Sequence, residues 1–228
     1  MSVMILPDQP KYVGWRHRMV AQLKQRGITD KKVLAAMDKL PRHWFVGETL
    51  LDHILYDVDQ AVSIDCGQTI SRPYTVAWQT QLLEVKPMMT VFEVGTGSGY
   101  QTAILCEMGA RVYTVERHAT LFRKTKDLLA ALHYNQAHCF LGDSFNGVPE
   151  MKDFMYDRIL VTCGALQIPE GLMKLLKVGG IMVIPVGDEV QRMLRIRKNG
   201  EDSSQWCIED LGDAKFVPML EGKDFIAR

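Results

Sequence analysis

The chain has 228 residues, with 27 Lys+Arg set against 27 Asp+Glu, so its formal net charge is zero. That length suits one sizeable core, and the absence of a basic excess argues against DNA or RNA as the main substrate. Five scattered cysteines (Cys66, Cys106, Cys139, Cys163 and Cys207) form no C-x-x-C pair and no zinc-spaced Cys/His cluster. No apolar run reaches membrane-spanning length and the N-terminus is unlike a signal peptide, so a metal-free, reduced, cytoplasmic monomer without membrane or nucleic-acid partners is expected.

The first ten residues hold Pro7 and Pro10 and read as loose. Arg16 to Arg26 is helical in character and ends at Gly27, a C-cap residue. Thr29 or Asp30 can cap a second helix that carries Val33, Met37 and Leu40 on one face and stops at Pro41. These helices predict an N-terminal helical extension over about 11–66, followed by a catalytic core over about 67–228, within a single domain. Pro73 can begin a helix that continues through Tyr74–Leu83. From residue 88 onward, apolar runs alternate with helical stretches. The predicted strands are Val91–Val94, Arg111–Glu116, His138–Leu141, Arg158–Thr162 and Ile181–Pro185; the predicted helices are Gln101–Met108, Ala119–His133 and Glu170–Lys177, the last capped by Gly179-Gly180. Arg192–Lys198 and Trp206–Pro218 read as two further strands. The pattern predicts an α/β fold: a doubly wound, mostly parallel, seven-stranded Rossmann-like sheet with an antiparallel C-terminal edge.

The densest motif is Val91-Phe92-Glu93-Val94-Gly95-Thr96-Gly97-Ser98-Gly99-Tyr100. A strand entering a glycine turn ahead of a helix delivers a nucleotide-like ligand to that helix N-terminus. A dinucleotide fingerprint would need a third glycine at position 100, which is Tyr100. The spacing is G-x-G-x-G instead, the form associated with S-adenosylmethionine sites. Glu93 lies within the strand. Glu116, 17 residues past Gly99, ends the next strand, near the spacing of a ribose-binding acid. Gly142-Asp143 follows the third strand, where Asp143 can accept from an adenine amino group, or can simply form an Asx-turn. Two acidic strand ends suit an adenosine without phosphate, which would instead recruit Lys or Arg.

A second dense stretch, Gln68-Thr69-Ile70-Ser71, supplies an amide and two hydroxyls just ahead of the Pro73 helix. A plain helix cap is the competing reading of Ser71. No G-x-S-x-G elbow is present, and none of the six histidines is read as a base.

The run Gly67-Gln68-Thr69-Ile70-Ser71-x-Pro73-Tyr74, followed by Val94-Gly95-Thr96-Gly97-Ser98-Gly99-Tyr100-Gln101-Thr102-Ala103, resembles the protein-L-isoaspartate O-methyltransferases, class I S-adenosylmethionine-dependent enzymes. So do Pro41-Arg42-x-x-Phe45-Val46, Gly142-Asp143, Leu176-Lys177-x-Gly179-Gly180, Ile184-Pro185-Val186-Gly187 and Phe216-Val217-Pro218. Departures fall at Ser63-Ile64-Asp65-Cys66, at Ser144 and at Thr162-Cys163-Gly164-Ala165. The resemblance implies methyl transfer from S-adenosylmethionine to the free carboxylate of L-isoaspartyl residues in damaged proteins and peptides. The ester then closes to a succinimide, which begins repair. Anion and sulfonium would give a neutral ester and a neutral thioether, and an ionised acceptor needs no general base. It also implies a cofactor site at Gln68, Thr69, Ile70, Ser71, Glu93, Gly95, Thr96, Gly97, Ser98, Gly99, Tyr100, Glu116, Gly142 and Asp143, with Ser71 as the catalytic residue. The alternatives are a methyltransferase acting on a small molecule or RNA, a non-catalytic S-adenosylmethionine-binding protein, and an NAD-dependent oxidoreductase, against which Tyr100 counts.

Overall fold

A computed structural model describes residues 5–47, 52–143, 147–148, 151, 154–220, 222 and 224. The chain opens with helices α1 (Pro10–Gln25) and α2 (Lys31–Lys39), then a short ribbon of β1 (Val62–Ser63) and β2 (Thr69–Ile70). Helix α3 (Pro73–Leu83) leads into β3 (Thr90–Val94), α4 (Tyr100–Glu107), β4 (Arg111–Glu116), α5 (Ala119–Ala131), β5 (Ala137–Leu141) and β6 (Tyr156–Val161). Helix α6 (Glu170–Leu175), β7 (Leu176–Val186), β8 (Gln191–Lys198) and β9 (Trp206–Ala214) complete it. The main sheet has seven strands in the order β5-β4-β3-β6-β7-β8-β9. It is parallel from β5 to β7 and antiparallel at β8 and β9. This is the expected α/β architecture.

Alternation along the strands sends side chains to two apolar clusters, one on each face. Val91, Leu160, Ile181 and Val183 join one cluster, while Phe92, Ile159, Val161 and Met182 join the other. The first cluster also holds Met19 and Leu23 of α1 and Val33 and Met37 of α2. The two N-terminal helices are therefore packed into the core of the sheet rather than appended to it.

Helix α1 starts at Pro10, earlier than the expected Arg16, because proline at the first helical position has its φ already set. Asp8 is not loose: both its carboxylate oxygens accept from buried Arg16, at 3.0 and 2.9 Å. Gly27 (φ +91°) closes this helix as expected, and the Asp30 carboxylate caps α2 through the amides of Lys32 and Val33.

Two expectations are corrected. Gly179-Gly180 does not cap α6, which ends at Leu175. Tyr156 pairs with Leu176 and Arg158 with Ile181, so 177–180 bulge from β7, and Gly179 (φ +81°) turns that bulge. The last strand stops at Ala214 instead of reaching Pro218. The Gln191 side chain takes both backbone groups of Phe216, at 2.8 and 3.2 Å, and leads the chain off the sheet edge.

Candidate active site

Strand β3 sits between β4 and β6, where the winding of the sheet reverses, and the crevice at its carboxyl end is where such sheets bind ligands. All five residues of β3 are buried or nearly so, which anchors the glycine turn that follows. Gly95 (φ +93°) lies against Thr162: a Cβ there would meet Thr162 Oγ1 at 2.6 Å. That hydroxyl lies 2.8 Å from the Val94 carbonyl and 2.7 Å from the Gly95 carbonyl, so it can donate to either. Gly99 (φ +83°) lies against Thr125 on the other side, and Thr125 Oγ1 donates to the Gly97 carbonyl at 2.7 Å. Two threonines thus clamp the turn, while the space beside Gly97 is open, with no atom closer than 3.9 Å to a Cβ built there.

The crevice is walled by the turn (Gly95 to Ser98), by Gln68 to Ser71, and by the end of β4. Glu116 joins these pieces. Its Oε2 accepts from the Gly97 amide at 2.8 Å and its Oε1 from the His118 amide at 2.9 Å. A carboxylate has about four lone-pair sites, so two acceptor positions are left for hydroxyl donors. Thr96 is fixed by a 2.7 Å hydrogen bond between its hydroxyl and that of Thr114. Tyr100 also lines the crevice, its buried ring covered by the Arg42 guanidinium at 4.7 Å and edge-on to Phe45 at 5.4 Å.

Four of the expected cofactor residues stand off this wall. Glu93 is fully buried beneath it, and its Oε2 accepts from Thr102 Oγ1 at 2.5 Å. Burial raises its pKa to about 7, partly countered by hydrogen bonds from Thr102 and Thr114. It shapes the turn from below instead of facing the crevice. Gly99 is the helix N-cap. The Gly142 amide donates to the Glu116 carbonyl at 3.0 Å, and Asp143 Oδ2 accepts from the Gly222 amide at 2.8 Å.

Ser71 is not a helix cap. The N-cap of α3 is Arg72, with Pro73 at the first helical position. The Ser71 hydroxyl makes no hydrogen bond among the described residues, although it lines the crevice. Its carbonyl is held by Arg42 Nη2 at 2.6 Å, while Arg42 Nε donates to the Leu55 carbonyl at 2.7 Å. Burial lowers the Arg42 guanidinium to about 10, with Tyr100 and Tyr56 working against the fall. The departure at Asp65-Cys66 forms the turn between β1 and β2; Asp65 pairs with Lys124 at 2.9 Å, and Cys66 takes φ +61°. Ser144 lies outside the described residues.

Sequence reasoning missed three contributors. Arg42 appeared only as part of a motif, because nothing local shows which carbonyls it reaches. Thr162 stands in a stretch that departs from the family pattern, yet it buttresses Gly95. The segment after β9 crosses the strand ends, and Val217 to Leu220 line the crevice. Gly164 and Val217, then Met219 and Gly164, pair through their backbones at 2.8 Å each. The Asp224 amide reaches the Arg117 carbonyl at 3.0 Å, and the Asp224 carboxylate lies 3.3 Å from His118 Nδ1. Among the described residues, Arg117 is the one Lys or Arg on the wall, and its Nε points to the Gly222 carbonyl at 3.3 Å. Cys163 also lines the crevice, its thiol pushed up to about 12 by burial. No group of His, Cys, Asp or Glu among the described residues could hold a metal ion.

These donors and acceptors fit S-adenosylmethionine: an open glycine turn, a strand-end carboxylate with spare acceptor capacity and, among the described residues, no free cation on the wall to recruit a phosphate. The comparisons with known proteins point the same way. The sequence model of the family described as protein-L-isoaspartate(D-aspartate) O-methyltransferase matches residues 15–224. A protein-L-isoaspartate O-methyltransferase of Flavobacterium psychrophilum is 50% identical over 220 residues, covering 96% of this chain and 100% of that one. Its counterpart in Dictyoglomus thermophilum is 45% identical over 213 residues, covering 93% and 94%. A Plasmodium falciparum structure described as a protein-L-isoaspartate O-methyltransferase in complex with S-adenosyl-L-homocysteine superposes with a TM-score of 0.77 at 26% identity, covering 90% of this chain and 98% of that one. From its crevice, its fold and these relatives, the chain belongs to the protein-L-isoaspartate(D-aspartate) O-methyltransferase family.

Proposed function

We propose that the protein transfers a methyl group from S-adenosylmethionine to the free carboxylate of L-isoaspartyl residues in damaged proteins and peptides. One observation carries this reading: Thr69, Ser71, Thr162 and Val217 line both the crevice beside the glycine turn and a second cavity behind it. Donor and acceptor can therefore meet across one thin wall, with Ser71 in it.

S-adenosylmethionine supplies, when bound, a methyl group on a sulfonium cation. The residues of the chain have three tasks. Glu116 and the turn from Gly95 to Ser98 hold and orient the adenosyl end. The Ser71 hydroxyl, whose position Arg42 fixes through the backbone, grips the acceptor carboxylate. The segment from Val217 to Leu220 excludes water, which matters because opposite charges disappear as the reaction proceeds. Alignment of this kind supplies roughly 7–11 kcal/mol. No residue has to remove a proton, because the acceptor is already ionised at neutral pH. Among the described residues the one histidine on the wall, His118, is turned to Asp224.

Among the described residues no helix is long and apolar enough to cross a membrane. The reading extends to a cytoplasmic monomer that acts on isoaspartyl proteins and peptides; the zero net charge argues against a nucleic-acid partner. The test is transfer of labelled methyl groups to an isoaspartyl peptide and to the same peptide with a normal aspartyl linkage. Label on the first alone is expected; equal labelling, or none, overturns the reading.

A further inference from the structure

The second cavity shares Thr69, Ser71, Thr162 and Val217 with the crevice, and on the methyltransferase reading an acceptor carboxylate reaches Ser71 through it. Its walls come from two distant parts of the chain. Asp59, Gln60, Arg72 and Thr75 come from the first, and Lys215 and Phe216 from the second. Arg72 is the half-buried N-cap of α3, and Lys215 is exposed just beyond β9. Neither side chain has an ion pair or a hydrogen bond among the described residues. The acid on the rim, Asp59, is already paired with Arg26. The rim therefore offers two uncommitted positive charges beside the acceptor entrance, in a protein whose overall charge is zero.

We infer that this chain selects isoaspartyl sites flanked by acidic residues, with Arg72 and Lys215 receiving the flanking carboxylates. The inference rests on the methyltransferase reading above and adds a preference to it. The isoaspartyl carboxylate itself goes to Ser71. The neighbouring residues of the peptide remain on the rim, and there an Asp or Glu meets a cation while a Lys or Arg is repelled. Arg72, next to the Ser71 backbone, acts close to the methylated residue, and Lys215 reaches further along the peptide. Both are specificity residues and neither touches the transferred group. Because Lys215 is exposed and Arg72 is only half-buried, the preference is modest and screened by salt.

The experiment measures kcat/KM for methylation of three isoaspartyl peptides that differ only in their flanking residues: Glu, Gln or Lys. At low salt the order Glu, Gln, Lys is expected, with about a fivefold span that shrinks as salt is added. In the Arg72→Gln, Lys215→Gln double variant the span falls to within about twofold. The span is a ratio within one protein preparation, so it does not depend on how much of a variant is folded. Methylation of all three wild-type assays at equal kcat/KM overturns the inference and leaves the methyltransferase reading standing. A span unchanged in the double variant removes Arg72 and Lys215 as its source and overturns the inference as well. No label on any of the three peptides overturns the methyltransferase reading itself.

Discussion

Arg42 Nη2 donates to the Ser71 carbonyl at 2.6 Å, across 29 positions of sequence, and the same guanidinium covers the Tyr100 ring at 4.7 Å. One buried cation thereby ties the acceptor-side loop to the first residue of the helix after the glycine turn. Arg42→Met would leave the Ser71 and Leu55 carbonyls without their donors, at a cost of about 2–4 kcal/mol for one buried and one half-buried acceptor. Urea unfolding monitored by tryptophan fluorescence would show the loss, and methyl transfer would fall with it. An unchanged midpoint would mean that Arg42 merely fills space.

Ser71→Ala removes a hydroxyl that has no hydrogen bond among the described residues, so stability should stay within about 0.5 kcal/mol. If the hydroxyl grips the acceptor, kcat/KM for an isoaspartyl peptide drops about tenfold, the loss of one hydrogen bond of roughly 1.4 kcal/mol. Calorimetry with S-adenosylhomocysteine should show an affinity close to wild type. Weaker cofactor binding with an unaltered rate would move Ser71 to the cofactor side.

The glycines of the turn should differ in tolerance. At Gly97 a Cβ has open space, and φ +53° costs a non-glycine residue roughly 1–2 kcal/mol. At Gly95 the Cβ would also press on Thr162 Oγ1 at 2.6 Å, and that hydroxyl is held by two carbonyls. Gly95→Ala should therefore cost at least about 3 kcal/mol. Equal thermal shifts for the two variants would show that Thr162 can give way.

Burial lifts the Glu93 carboxyl from an ordinary 4.5 to about 7. Between these values the folded chain holds a proton that the unfolded chain has released, so this group lowers stability as pH rises through the interval. Glu93→Gln removes the proton linkage. From about pH 5 to pH 8 the wild type should lose roughly 2–3 kcal/mol more than the variant. Parallel stability curves for the two proteins would refute the shifted carboxyl.

The segment beyond β9 covers the crevice through backbone pairing and through contacts of Gly222 and Asp224 outside the sheet. Removing residues 219–228 should leave the sheet folded, since the segment gives no fully buried member to either cluster and only the half-buried Met219 packs against one. The affinity for S-adenosylhomocysteine should fall about tenfold, a loss of roughly 1.4 kcal/mol of contact and shielding. Undiminished affinity would show that the covering segment plays no part in holding the ligand.

The sequence by itself determined whatever depends on neighbours along the chain. Apolar alternation set the strands, Gly27 and Asp30 set the ends of their helices, and the G-x-G-x-G turn announced its ligand, because propensity, capping and φ are local properties. Glu116 was legible for the same reason, since the residue that ends a parallel strand must stand at the ligand edge. Only the tertiary structure decided which groups meet. Pairing with Tyr156 drew Leu176 into β7 and left Gly179 in a bulge rather than a cap. Packing between β3 and α4 buried Glu93 beneath the turn. Gln191 turned the chain off the sheet at Phe216 and sent Val217 to Leu220 over the crevice. Arg42 and Thr162 gained their roles from carbonyls distant in sequence, and hydrogen bonds between such groups depend on chain packing that no short motif encodes.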